Sequence, residues 1–323
     1  MSHPVLRLAA LALFAAAVPS YAAQAYPPAF EGARAEVYKT AGDTKLSLWI
    51  FEPAGGLKEN RPAIVFFFGG GWTSGSPTQF EQHCRYLASR GIVAITADYR
   101  VASRHQVKAA ACVADAKSAV RWLRANAARL GLDPHRIAAG GGSAGGHIAA
   151  ATILPGLDEA GENTSVSCVP DALVLFNPAL VLAPMPGLDL KGFGTDLGAA
   201  RLGAEPAALS PAHHVKRGAP PTIIFHGQAD TTVPYTTAEA FAREMKSAGN
   251  RCELVGFADQ THGFFNYGRG DNSAYFATLV ATDKFLASLG WLKGEPTLVK
   301  PAAPPADAAK DSAAPKRKKK TAN

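Results

Sequence analysis

A serine, an aspartate and a histidine far apart in the sequence are of the types that together make a hydroxyl nucleophilic. Ser143 lies in Gly141-Gly142-Ser143-Ala144-Gly145, a G-x-S-x-G pentapeptide between the strand-like Arg136–Ala139 and a small-residue helix start over Ala144–Leu154. A serine on such a strand-to-helix turn is held out on a strained backbone, and flanking glycines remove the Cβ atoms that would clash. The new helix aims its first N–H groups at negative charge forming there. Asp230 follows in His226-Gly-Gln-Ala-Asp230-Thr-Thr-Val-Pro234, and His262 in Asp259-Gln-Thr-His262-Gly-Phe264. A serine hydroxyl is a poor nucleophile at neutral pH. It needs an imidazole to take its proton and a buried carboxylate to fix that imidazole's tautomer. The order Ser…Asp…His is one of the chain orders in which this trio occurs. A fourth feature is the glycine run Phe68-Gly69-Gly70-Gly71-Trp72. Its backbone can turn N–H groups toward a tetrahedral oxyanion, with the N–H of Ala144 as a further donor.

Each feature alone has an ordinary explanation. A glycine run is a turn, a His-Gly pair is a loop histidine, and Asp in D-x-x-V-P caps a helix. Their force lies in all four falling in order at expected strand ends. Asp189 and Asp196 are weaker rivals to Asp230. His147, on the helix after Ser143, is expected to pack or bond locally. His83, His105 and His135 read as surface positions. The adjacent His213 and His214 cannot share a helix face as metal ligands, and no H-E-x-x-H occurs. Neither a metal nor a cofactor is called for.

These residues need a scaffold, and residues 26–295 supply an α/β rhythm. Lys45–Glu52 alternates as a half-buried strand does, whereas Ala63–Phe68 (AIVFFF) is a continuous apolar run suited to a central parallel strand. A helix is expected over Thr78–Ser89, a strand over Ile92–Tyr99 and a helix over Ala109–Leu130, stopped by Gly131. Ala172–Asn177 and Thr222–His226 read as buried strands, and Thr237–Ser247, Cys252–Phe257 and Tyr275–Leu289 as helix, strand and closing helix. This is one α/β domain with a mostly parallel central sheet flanked by helices. In such sheets chemistry gathers at the carboxyl ends of the strands. Residues 178–215 break the rhythm: a Pro- and Gly-rich connection without strong periodicity, read as a short cap over the site.

Both ends stand apart from that domain. Arg7, the apolar run Leu8–Val18 and small residues offering cleavage after Ala22 or Ala25 make residues 1–25 a secretory signal peptide, too short for a comfortable membrane span. The expected location is therefore secreted or periplasmic. Residues 296–323 are rich in Pro, Ala and Lys, with seven basic and two acidic residues, and read as a disordered tail. The chain's net charge of +7 thus belongs mostly to its tail. The body has no basic stripe with interleaved aromatics, which argues against a nucleic-acid partner. Export would put Cys84, Cys112, Cys168 and Cys252 in an oxidising compartment, which allows one or two disulfides in any of three complete pairings.

From Lys45 to Leu289 the chain resembles the α/β-hydrolase superfamily, in motif style the hormone-sensitive-lipase-like and acetyl-esterase branch. The resemblance rests on the glycine run, G-x-S-A-G-G, H-G-x-x-D-x-x-V-P and H-G-F, with Asp98-Tyr99-Arg100 and Asp115–Trp122. It implies the α/β-hydrolase fold with Ser143 as nucleophile, Asp230 as acid and His262 as base. Gly70, Gly71 and Ala144 become oxyanion donors, and Asp98 and Asp115 structural braces. Two positions depart from the family pattern. Phe68 replaces a histidine that orients the glycine loop, and Gly142 replaces an acidic residue, as in the G-G-S-x-G-G style of prolyl-oligopeptidase-like enzymes. The expected function is an exported serine esterase acting on short-chain, acetyl-type esters of small molecules or carbohydrates. The alternatives are a serine peptidase of the same fold, whose usual propeller domain has no room here, and a non-catalytic binding protein on the scaffold.

Overall fold

The computed structural model describes residues 26–55, 60–190 and 197–298. Residues 1–25, expected to be a signal peptide, residues 299–323 of the expected tail, and Asp196 lie outside the described residues. The described residues form eight strands and seven α-helices, in chain order β1 (Ala33–Ala41), β2 (Thr44–Phe51), β3 (Arg61–Phe67), α1 (Glu81–Ser89), β4 (Val93–Ala97), α2 (Ala102–His105), α3 (Ala109–Ala125), β5 (Leu132–Gly142), α4 (Ala144–Ala151), β6 (Ala172–Phe176), α5 (Ala199–Leu202), β7 (Thr222–Gly227), α6 (Tyr235–Ser247), β8 (Cys252–Phe257) and α7 (Ser273–Ser288). The strands form one sheet in the order β1-β2-β4-β3-β5-β6-β7-β8. The β1–β2 and β2–β4 pairs are antiparallel and the other five are parallel.

Side chains of successive strand residues leave opposite faces of the sheet. Ala63, Val65 and Phe67 of β3 join one core with α3, α4 and α6, while Ile64 and Phe66 join the other with α1 and α7. Both faces are covered, which is why the central strands read as unbroken apolar runs. The parallel strands also all end on one edge. That edge receives Ser143 after β5, Asn177 after β6, Asp230 after β7 and His262 after β8.

Several expectations change. β1 escaped the sequence reading because it is an edge strand with little buried surface; Tyr38 is its one fully buried residue, and a register shift interrupts it near Val37 and Lys39. The two-residue Gly42-Asp43 connection to β2, with Gly42 at φ +57°, was the available hairpin signal. Helix α3 stops at Ala125 rather than Leu130, and the Asn126 side chain turns back to donate to the Trp122 carbonyl at 2.8 Å. The segment 178–215 is not merely irregular: α5 and two short 3₁₀ turns, Pro206–Leu209 and Pro211–His214, pin it through the buried Leu202 and Leu209. All four cysteines are buried free thiols, so none of the allowed pairings forms. His83 is fully buried rather than at the surface, ringed by Phe80, Phe176 and Tyr275. His105 is half-buried, its Nδ1 accepting from the Val101 N–H at 3.0 Å, while His135 is exposed as expected.

Candidate active site

Ser143 occupies the junction of β5 and α4 with φ +54° and ψ −119°, a region that non-glycine residues avoid. The turn persists because its surroundings admit no other chain path. Ser143 N–H donates to the Phe176 carbonyl at 2.9 Å, and His147 N–H donates to the Ser143 carbonyl at 2.9 Å. A Cβ on Gly145 would lie 2.0 Å from the Phe67 carbonyl oxygen, so only glycine lets α4 pass this close to β3. Gly142 has a packing reason of its own. A Cβ there would meet the Phe265 ring at 2.4 Å, so Phe265 fills the space that a side chain at this position would take. The feature that pointed to a peptidase is thereby accounted for by Phe265.

The three separated side chains meet. Ser143 Oγ lies 2.9 Å from His262 Nε2, and His262 Nδ1 lies 2.7 Å from Asp230 Oδ2. The other oxygen, Asp230 Oδ1, accepts the N–H groups of Thr232 and Val233 at 2.8 and 2.9 Å. The D-x-x-V-P turn therefore caps the carboxylate instead of competing with its role. Burial of Asp230 favours its neutral acid. Contacts with His226 and His262 and the Val233 N–H outweigh burial and hold the carboxyl well below the usual carboxylate range. The anion makes Nδ1 of His262 the protonated nitrogen and leaves Nε2 to accept from the serine hydroxyl. His226, fully buried behind Asp230, donates from Nε2 to the Val233 carbonyl at 2.8 Å and closes the carboxylate turn from below.

The glycine run folds against this centre. The ideal Cβ position of Gly69 lies 3.4 Å from Ser143 Cβ. Gly69 N–H is taken by Gln79 Oε1 at 2.7 Å. The next two amides, of Gly70 and Gly71, find no hydrogen-bond partner among the described residues. Gly70 has φ +128°, and a Cβ on it would meet the Ser74 carbonyl oxygen at 2.2 Å, so the turn requires glycine. Phe68, where the family pattern has histidine, anchors the loop by packing. Its ring stacks on Tyr99 with centroids 4.1 Å apart, and the Tyr99 hydroxyl donates to the Phe68 carbonyl at 2.7 Å.

Other residues at the site were invisible in the sequence. Asn177, fully buried with φ +34°, accepts the Gly263 N–H at 2.9 Å and brings its amide nitrogen to 3.5 Å from His262 Nε2. Gln79 Nε2 donates to Asn266 Oδ1 at 2.9 Å, and Asn266 Nδ2 donates to the Gly263 carbonyl at 2.8 Å. These amides tie the glycine loop to the histidine loop. Their one sequence signal was position at a strand end or beside a motif. Asp98 and Asp115 act as braces: Asp98 accepts the Tyr99 N–H at 2.8 Å, and Asp115 accepts the Arg100 N–H at 2.9 Å and Lys39 Nζ at 2.7 Å. His147 bonds neither locally nor idly; its partners are Trp72 and Leu209, 75 and 62 residues away.

Comparison with known proteins decides the lineage. The family described as alpha/beta hydrolase fold matches residues 64–266. The chain belongs to this family. It is 28% identical over 232 residues to carboxylesterase NlhH of Mycobacterium tuberculosis, covering 65% of this chain and 69% of that one. The apo form of Thermogutta terrifontis esterase 2 is 53% identical, covers 84% of this chain and all of the other, and superposes with a TM-score of 0.80. The butyrate-bound form of that esterase is 52% identical over the same shares, with a TM-score of 0.79. This alpha/beta hydrolase is thus a carboxylic ester hydrolase, like the carboxylesterase and the esterase it resembles. No helix among the described residues is long and apolar enough to cross a membrane.

Proposed function

We propose that this hydrolase cleaves short-chain acyl esters, of acetyl to butyryl size, through a serine acyl-enzyme. The observation that carries the reading is the continuous chain from Ser143 Oγ through His262 to a capped, ionised Asp230. His262 Nε2 takes the hydroxyl proton as Ser143 Oγ attacks the ester carbonyl. The carbonyl oxygen gains the negative charge and is met by the N–H groups of Gly70, Gly71 and Ala144. Collapse breaks the bond to the alcohol, which leaves with the proton from His262. Water then gives a proton to the same nitrogen as it attacks the acyl-serine, and when the bond to Ser143 Oγ breaks that proton passes from His262 to the serine and the acid is released. Asp230 stays an anion throughout and stabilises the imidazolium.

Short acyl chains are favoured by the butyrate bound in the related esterase, and by the shortness of the elements that the described residues of the cap carry, α5 and two 3₁₀ turns. The leader-like residues 1–25 support export to the periplasm or beyond, where acylated carbohydrates are available esters. Hydrolysis of p-nitrophenyl esters from acetate to laurate, with Ser143→Ala alongside, tests the reading. The expected profile peaks at or below butyrate and falls steeply beyond it, with Ser143→Ala several orders of magnitude down in kcat. A maximum at long chains, or an active Ser143→Ala protein, would overturn it.

A further inference from the structure

His147 makes two hydrogen bonds whose directions are set by its partners. An indole nitrogen can only donate and a carbonyl oxygen can only accept. Trp72 Nε1–H therefore donates to His147 Nδ1 at 3.1 Å, and His147 Nε2–H donates to the Leu209 carbonyl at 2.8 Å. One neutral tautomer satisfies both. Burial lowers the imidazole to about 4 against a smaller opposing effect of the Leu209 carbonyl, so the ring is neutral at ordinary pH. The imidazole is fully buried and meets the indole edge-on, with centroids 5.1 Å apart.

The three partners belong to three parts of the machinery. Trp72 directly follows Gly71 in the glycine loop and itself has φ +58°, a conformation that needs outside support. His147 lies one turn into α4, whose first residue follows Ser143. Leu209 ends a 3₁₀ turn of the cap and is fully buried. The cap reaches the loop a second time through Arg201 of α5, which donates to the Gly71 carbonyl at 3.3 Å and sits over the Trp72 ring.

We propose that His147 is a positioning residue that fixes the oxyanion loop relative to the nucleophile, with the cap selecting the tautomer that makes this work. The Leu209 carbonyl holds the proton on Nε2, which leaves Nδ1 free to hold the Trp72 indole, which in turn sets the peptide planes of Gly70 and Gly71. The proposal rests on those two amides serving as oxyanion donors. It assigns a role to the side chain of G-x-S-A-G-G-H that the hydrolytic mechanism does not use. It also gives the cap a task in transition-state stabilisation beyond covering the site.

The test compares His147→Leu, Trp72→Phe, their double variant and His147→Asn with the wild-type protein, using p-nitrophenyl butyrate. Asparagine keeps an acceptor near the position of Nδ1, and leucine keeps only bulk. Loss of one well-placed oxyanion donor costs about 10²–10³-fold in kcat, and misplacing the loop should cost part of that. The expected result is a loss of about ten- to a hundredfold in kcat for His147→Leu and Trp72→Phe, with KM changed less than about threefold. The double variant should be no worse than either single one, and His147→Asn should recover most of kcat. In proton–nitrogen spectra, the indole signal missing from Trp72→Phe should move upfield in His147→Leu. Wild-type kcat in a folded His147→Leu, or losses that multiply in the double variant, would overturn the proposal. If His147→Leu does not fold, Trp72→Phe decides, because wild-type kcat there has the same force. An inactive Ser143→Ala beside an unimpaired His147→Leu would refute only the positioning role, whereas an active Ser143→Ala would refute the reading on which it stands.

Discussion

The proposed acid–base side of the site and its proposed oxyanion side are held in different ways. Ser143, Asp230 and His262 sit at the ends of β5, β7 and β8 on one sheet edge and are joined by two hydrogen bonds, so strand geometry and those bonds place them. The glycine loop has no side chains between Gly69 and Gly71 to hold it. Its shape is imposed from outside by Gln79 at Gly69, by Tyr99 against Phe68, and by His147 and Arg201 around Gly71 and Trp72. One half of the centre is self-supporting and the other is borrowed from its neighbours. Damage should follow that division: all-or-none on the acid–base side, graded on the oxyanion side.

Asp230→Asn probes the self-supporting half and should have the largest effect. An amide that donates toward Nδ1 reverses the tautomer of His262, and a loss of about 10⁴-fold in kcat is expected. The folded content measured by circular dichroism should stay at the wild-type level at neutral pH. The carboxylate also contributes stability. Its folded-state pKa lies below its unfolded value, so that contribution is present above the ordinary carboxylate range and is lost as pH falls through the folded value. The wild-type advantage over Asp230→Asn in thermal midpoint should therefore shrink as the buffer is taken from pH 6 toward pH 3. An advantage that grows in acid would contradict this.

Gln79→Leu probes the borrowed half. It removes the acceptor of the Gly69 N–H and the link to Asn266 while leaving the trio untouched. A loss of about five- to tenfold in kcat is expected, equivalent to roughly 1 kcal/mol for one such bond. A 10⁴-fold loss in steady-state assays would erase the distinction between the two halves.

His83→Phe probes neither half and should leave kcat unchanged. Both ring nitrogens of His83 are buried without a partner among the described residues, within an aromatic cluster. Burial lowers the imidazole to about 3. The unfolded chain therefore takes up a proton near pH 6.5 that the folded protein refuses, and stability falls as pH drops below that value. Phenylalanine fills the same space without the polar cost. The thermal midpoint should rise by a few degrees at pH 5 and by less at pH 8. Part of the acid sensitivity should persist, because His147 is depressed in the same way.

The same division governed what the sequence could reveal. Ser143, Asp230 and His262 were legible because each follows an apolar run that can only be a buried strand, and strand ends of a parallel sheet share one edge. The supports of the glycine loop were not. Gln79 and Asn266 lie 187 residues apart, and His147 and Trp72 75 apart, with nothing in their spacing to pair them. Phe68 looked like a lost hydrogen bond until Tyr99 supplied a stacking surface. β1 was missed because an exposed edge strand leaves almost no apolar alternation, although Gly42-Asp43 marked its hairpin. His83 was placed at the surface because a polar residue on an amphipathic helix gives no sign of the aromatic rings that α7 brings against it.

In the proposed mechanism Ser143 is the single activated nucleophile of this edge. Treating the folded protein with a fluorophosphonate and mapping the adduct by mass spectrometry measures that directly. We predict one adduct per chain, located on Ser143, formed in step with loss of p-nitrophenyl butyrate hydrolysis and strongly slowed in Asp230→Asn. Full activity in protein that carries the adduct on Ser143, or activity lost through labelling at another residue, would contradict the account.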